Sequence, residues 1–211
     1  MQARFIAFEG GEGCGKSTQA RMLSEWLEAQ GIGVELTREP GGTQGAEAVR
    51  ALLLDPPGEG WGPQAEALLF AAARADHVAR RIRPAIDAGR WVVCDRFLDS
   101  SRAYQGGAGG VGDDAVRALH AIGSQDLLPD LTILLTVDPE TAVERTRERD
   151  GDNADAIGGR DAAYHLAVSE AFARFAHDES ERFVLIDGSG SLDAVHAAVL
   201  QAIAPLLDTG A

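Results

Sequence analysis

The sequence predicts an α/β fold in three layers: a parallel sheet of five strands with helices on both faces. Short apolar runs alternate with helical patterns along all 211 residues. Strands separated by helices pair in parallel through crossovers. The runs are also continuously apolar, as strands buried on both sides require.

Phe5-Ile6-Ala7-Phe8 reads as the first strand, closed by the glycines that follow. From about Lys16 to Gln30, Met22, Leu23, Trp26 and Leu27 recur at helical spacing, and Gly31 supplies a stop. Gly33–Thr37 is the second strand, followed by helices expected over 43–54 and 63–88. Trp91–Cys94 is the third strand, and a helix is expected over 113–126. The fourth strand, Leu131–Val137, leads to a helix over 139–149 with Asp138 as N-cap and Pro139 at its first position. A helix over 161–178, a fifth strand at Phe183–Ile186 and a helix over 191–207 complete the series. Two Gly-rich segments stand out: Gln105–Gly112, expected as a loop, and Asp150–Gly159, a candidate lid. Neither reads as an interdomain linker and no repeat occurs, so residues 1–211 are expected to form one domain.

Hydrophobic residues at 45% and charged residues at 25% are an ordinary globular composition. With 33 acidic against 19 basic residues the formal charge is −14, which argues against general affinity for nucleic-acid backbone. No run reaches the ~18 apolar residues of a membrane span, and no signal-peptide pattern opens the chain. Cys14 and Cys94 are too few for a disulfide framework or a four-ligand zinc site. A reduced, cytoplasmic location is the expectation. Eighteen of the 19 cations are arginine; the single lysine, Lys16, falls inside a Gly-rich motif.

That motif, Gly10-Gly11-Glu12-Gly13-Cys14-Gly15-Lys16-Ser17, fits the P-loop pattern, between a strand and a helix as it requires. Backbone N–H groups would cradle ATP phosphates at the positive end of the helix. Lys16 would reach the β/γ-phosphates, Ser17 would bind Mg²⁺, and Thr18 closes the ATP-binding run. Asp95-Arg96 directly follows the third strand, at the sheet edge where ligands of such folds bind. Asp95 suits Mg²⁺ held through water, and Arg96 suits a transferring phosphate; a surface ion pair would also fit. Thr37-Arg38-Glu39-Pro40-Gly41-Gly42-Thr43 aims Arg38 at the same edge. Three cations there exceed the needs of one triphosphate, which suggests a kinase whose acceptor is itself a phosphate.

With these motifs, with Leu69-Phe70-Ala71-Ala72-Ala73-Arg74-Ala75-Asp76-His77, and with Asp95–Ser101 and Ala103-Tyr104-Gln105-Gly106, the chain resembles the bacterial thymidylate kinases over nearly its whole length. The resemblance implies a P-loop nucleoside monophosphate kinase fold with a lid at about 145–163. It implies phosphoryl transfer from Mg·ATP to dTMP in dTTP biosynthesis, and a homodimer. Phe70 would stack on thymine and Arg74, one helical turn on, would bond its carbonyl; core packing and a solvated helix face are the alternatives. Tyr104 would close over the sugar C2′. Gln105, Ser100 and Ser101 would neighbour the base, and Glu12 would accept from the sugar 3′-OH. In relatives without an arginine inside the P-loop the catalytic cation comes from the lid, where Arg145, Arg147 and Arg149 precede the Gly-rich segment; we assign Arg149. The chain departs from the lid pattern at Ala156 and Gly158, where Arg and Glu are expected, so Arg160 is a second candidate. A deoxynucleoside kinase would have no acceptor phosphate for Arg38. A GTPase-like switch would need an Asn-Lys-x-Asp motif, which a chain with one lysine lacks.

Overall fold

The computed structural model describes residues 2–148 in full, the backbone of 149 and 150, and residues 155–207. Strands β1 (Phe5–Glu9), β2 (Val34–Arg38), β3 (Trp91–Asp95), β4 (Leu131–Thr136) and β5 (Phe183–Asp187) form one sheet in the order β2-β3-β1-β4-β5. Every pairing is parallel. All five residues of β1 are buried, and their alternation sends side chains to both faces. Ile6 and Phe8 pack with Leu23 of α1 (Lys16–Ala29) and Val199 of α9 (Leu192–Leu207). Phe5 and Ala7 pack with Ile82, Phe97 and Val116 on the other face. Cys14 and Cys94 lie in opposite layers and are free.

Helix α2 (Gln44–Leu54) starts at Thr43, whose hydroxyl accepts from Ala46 N–H at 3.2 Å. The helix expected over 63–88 is divided. Helices α3 (Pro63–His77) and α4 (Arg83–Asp87) are joined by a π-helical turn, Val78–Ile82. Pro84 explains the break. It has no N–H to donate, and in a continuous α-helix its ring would strike the carbonyl of residue 80. The wide turn, closed by Arg83 N–H to Val78 O, shifts the register just before it.

The segment from Gln105, expected as a loop, is also helical at its start. A short helix α5 (Leu98–Ser101) runs into a π-helical turn, Arg102–Ala108, whose first five residues are buried. Its small residues serve packing: a Cβ on Gly107 would stand 3.2 Å from Ala171 of α8 (Ala162–Asp178). Helix α6 (Asp113–Ser124) follows. Helix α7 (Pro139–Asp150) begins where expected, with Asp138 accepting from Thr141 N–H at 2.9 Å. No helix among the described residues is long and apolar enough to cross a membrane.

One buried ion network ties the second π-turn to the sheet. Asp99 accepts from Arg102 at 2.9 Å and from both terminal nitrogens of Arg182 at 2.7 Å. Arg102 also reaches Asp113 and Glu179. Burial opposes the charge on Asp99, but Arg182 and Arg102 outweigh it and hold its carboxyl below the usual range. Asp99→Ala should cost about 3 kcal/mol at pH 7 in urea unfolding. A lowered carboxyl pKa gives stability that is present above the ordinary Asp range and lost in acid. The gap between variant and wild type should therefore close as pH falls below that range.

Candidate active site

The P-loop turns at the carboxyl end of β1, where left-handed glycines are obligatory at two points. Gly10 (φ 138°) and Gly13 (φ 70°) both lie at positive φ, where a side chain is strained. A Cβ on Gly10 would strike Leu135 O, and one on Gly13 would strike Ala142 O of α7. Lys16 is 6% exposed and donates to Gly11 O at 2.6 Å. Cys14 packs inward, its Sγ 3.1 Å from Gly11 O. Gly15 is the N-cap of α1. Ser17 and Thr18 follow Lys16 in its first turn.

Strand β3 delivers the second set. Ser17 donates its hydroxyl to Asp95 Oδ2, while Asp95 Oδ1 is buried with no hydrogen-bond partner. A hydroxyl and a carboxylate with a spare buried oxygen are a donor set suited to a hard divalent cation. Among the described residues, no cluster of three or more His, Cys, Asp or Glu side chains could hold a metal by itself.

Arg96 sits at φ 70°, a left-handed conformation unusual for a residue with a side chain. Its guanidinium donates to Gly10 O and Ser100 Oγ at 3.0 Å, to Glu12 at 2.6 Å and to Tyr104 OH at 3.3 Å. Behind it, Glu9 accepts from the N–H groups of Phe97 and Ser100 at 2.9 and 3.0 Å, and from Ser100 Oγ at 2.6 Å. Burial, with the charge of Asp99 nearby, pushes Glu9 up to about 7.

A cleft of about 380 Å³ opens beside these residues. Glu12, Lys16, Ser17, Asp95 and Arg96 line its P-loop end. Phe70, Ser100, Tyr104 and Gln105 line the remainder, and Arg38 enters from β2. Phe70 is half-buried and open to the cleft. Arg38 pairs with Glu47 at 3.0 Å.

Sequence reasoning missed Arg50, which lines the same cleft and donates to Pro40 O at 2.8 Å. Burial and the like charge of Arg38 lower its hold on its proton. The available signal was a lone cation on the otherwise uncharged last two turns of α2.

Arg74 and Ser101 lie outside the lining of the cleft. Arg74 is 4% exposed, which excludes a solvated helix face. It donates to Glu39 at 2.7 Å, to Ser101 Oγ at 2.8 Å and to Phe97 O at 3.1 Å. Glu39 also contacts His77, which in turn bonds Thr37. Burial opposes ionisation of Glu39, but the Arg74 charge and the His77 contact hold its carboxyl below the usual range.

Of the arginines expected at a lid, Arg145 donates to Gly188 O at 2.9 Å, and Arg147 is exposed. The side chain of Arg149 lies outside the described residues. Arg160 pairs with Glu66. Asp155 and Ile157, also missed, line the cleft beside Phe70.

A P-loop on the central strand of this sheet, with a second cationic arm across one cleft, defines a P-loop kinase. A thymidylate kinase family profile matches residues 8–199. The chain is 56% identical over 207 residues to a thymidylate kinase of Rhizorhabdus wittichii, covering 98% of this chain and all of that one. It is 49% identical over 197 residues to one from Chromohalobacter salexigens, covering 93% of this chain and 92% of that one. The crystal structure of thymidylate kinase from Ehrlichia chaffeensis superposes with a TM-score of 0.79 at 30% identity, covering 96% of this chain and all of that one. The chain belongs to the thymidylate kinase family.

The raised Glu9 carboxyl gives a pH prediction. Stability from a carboxyl with a raised folded-state pKa is present below the unfolded value and lost as pH rises through about 7. Glu9→Gln keeps an acceptor oxygen and removes the titration. Its melting temperature relative to wild type should therefore rise between pH 5 and pH 8, measured by differential scanning calorimetry at about those two values.

Proposed function

We infer that the protein transfers the γ-phosphoryl group of ATP to the phosphate of dTMP, giving dTDP and ADP. One observation carries the reading beyond family membership: two phosphate-binding arms share a single cleft. Gly10–Thr18 form the donor cradle, with Lys16 for the β/γ-phosphates. Arg38 and Arg50, with Arg96 at the P-loop end, would take the acceptor phosphate, and Arg50 and Arg38 lie close enough for their like charges to interact. An acceptor phosphate is ionised near neutral pH, its second pKa being ~6, so no strong base is needed. Alignment and charge stabilisation suffice. Phe70 would cover the base face, Tyr104 the sugar, and Gln105 and Ser100 would border the base. Glu12 would take the sugar 3′-OH. Arg74 and Ser101 support this wall from behind in the present arrangement.

Ser17 and Asp95 would hold Mg²⁺, with water and nucleotide oxygens completing its shell. The cation would neutralise charge on the β- and γ-phosphates. We assign residues 1–211 to one domain, with a lid at about 145–163. The protein is proposed to act as a homodimer. Leu68 on α3 and Ile122 on α6 are 56% and 82% exposed, on two helices that pack together, and so offer an apolar face.

Initial rates of ADP release with Mg·ATP test the reaction against dTMP, dUMP, UMP, CMP and thymidine. dTMP should be strongly preferred. Turnover of thymidine alone would overturn the reading. Arg50→Ala should raise the KM for dTMP about tenfold or more, since hydrogen bonds to charged groups are worth roughly 1.5–3 kcal/mol, and leave the KM for ATP near wild type. Multi-angle light scattering should return about twice the 22.2 kDa chain mass; Leu68→Glu combined with Ile122→Glu should return the monomer.

A further inference from the structure

The side chains of Glu66, Phe70 and Arg74 recur every four residues on one face of α3. Phe70 and Arg74 already have roles at the base end of the cleft. Glu66 is buried and spends its two oxygens on different elements. Oε1 accepts from Gln105 Nε2 at 2.9 Å, and Oε2 pairs with Arg160. Gln105 lines the main cleft and also a smaller cavity of about 280 Å³ that Trp61, Glu66, Arg160 and Tyr164 enclose. Arg160 is 27% exposed and lies over the Tyr164 ring at 4.5 Å. Tyr164 donates its hydroxyl to Tyr104 O at 2.8 Å, so both ends of the contact return to the proposed acceptor wall.

The turn that carries Arg160 is itself part of that wall. Arg160 N–H donates to Ile157 O at 3.2 Å, and Ala156 N–H to Leu54 O at 3.3 Å. Asp155 accepts from the N–H groups of Ile157 and Gly158 at 2.9 and 2.8 Å. Ile157 is 9% exposed, packs in one cluster with Tyr104 and Phe172, and lines the cleft. One backbone bond to α2 fastens one end of the turn, and the Glu66–Arg160 pair fastens the other.

We propose that Glu66 is a positioning residue for the acceptor nucleotide: one carboxylate joins Gln105 to Arg160 and holds the lid turn at Ile157 against the base end of the cleft. The proposal rests on the dTMP kinase reading and deepens it. It assigns Arg160 to the acceptor side, leaving charge on the moving phosphoryl to other cations. A buried carboxylate that binds one base-side residue and one lid residue couples base binding to lid placement.

Steady-state kinetics of wild type, Glu66→Gln, Arg160→Gln, Arg160→Lys and the Glu66→Gln/Arg160→Gln double variant test it, with a melting temperature for each. Each Gln variant should raise the KM for dTMP about five- to tenfold, the size expected for coupled residues in contact, and leave the KM for ATP within about twofold. The double variant should be no worse than the worse single one. Arg160→Lys should recover most of the loss. A raised KM for ATP with an unchanged KM for dTMP would place Arg160 on the donor side and overturn the proposal. So would additive losses, or a lowered melting temperature with unchanged kinetics. Arg160 lies on the partly exposed lid, so its variants keep the test decisive if Glu66→Gln folds poorly. Wild type that turns over dTMP while the variants match it would sink only this inference. Wild type that fails to turn over dTMP would sink the kinase reading beneath it.

Discussion

Arg96 fastens the two halves of the site together. Its backbone leaves β3 in a left-handed conformation, which swings the guanidinium back across the sheet edge to Gly10 O and Glu12 of the P-loop. Such a conformation costs of order 1–3 kcal/mol and persists only where the surroundings fix it. Here Arg96 N–H bonds Phe8 O, and Glu9 pins the N–H groups of Phe97 and Ser100. The P-loop and Arg96 are thereby anchored to two neighbouring strands, β1 and β3. Such a frame can hold reacting groups to the small tolerance that phosphoryl transfer needs.

Charge is organised on the same frame. A chain of net charge −14 still gathers Lys16, Arg38, Arg50 and Arg96 around one cleft. Most of the internal arginines are neutralised locally. Arg102 and Arg182 are absorbed by Asp99 and Glu179, and Arg74 by Glu39. The cations at the cleft end face an opening, where a polyanionic ligand can exchange with their protein partners. Acidic surroundings do not weaken that field at short range, because screening confines exposed charges to about 10 Å.

The sheet, the P-loop and the Asp95-Arg96 corner were legible because each follows from a local pattern. Continuous apolar runs, glycines at fixed spacing and a polar pair after a strand need no knowledge of the rest of the chain. The π-turns were not legible. Val78–Ile82 exists because Pro84 obstructs a straight helix, and Arg102–Ala108 carries Gly107 against Ala171 of a helix distant in sequence. The first looks like an ordinary helix and the second like a Gly-rich loop. Arg50 escaped for a related reason. Its partner, Pro40 O, is set by the turn before α2 and not by any pattern within the helix. Arg74 shares its helical spacing with Phe70, but its enclosure by Glu39, Phe97 and Ser101 depends on segments distant in sequence, which no local pattern shows.

The turn at residues 155–160 departs from the family pattern that the resemblance implies. Ala156 and Gly158 stand where the resemblance expects Arg and Glu, and the turn they occupy is held instead by backbone bonds, by the Asp155 carboxylate and by buried Ile157. Ala156 N–H reaches Leu54 O at 3.3 Å. Arg160 then meets Glu66, one turn before Phe70 on the same helix face. Under the proposed coupling, a nucleotide that displaces Gln105 also disturbs Glu66, and with it the partner of Arg160.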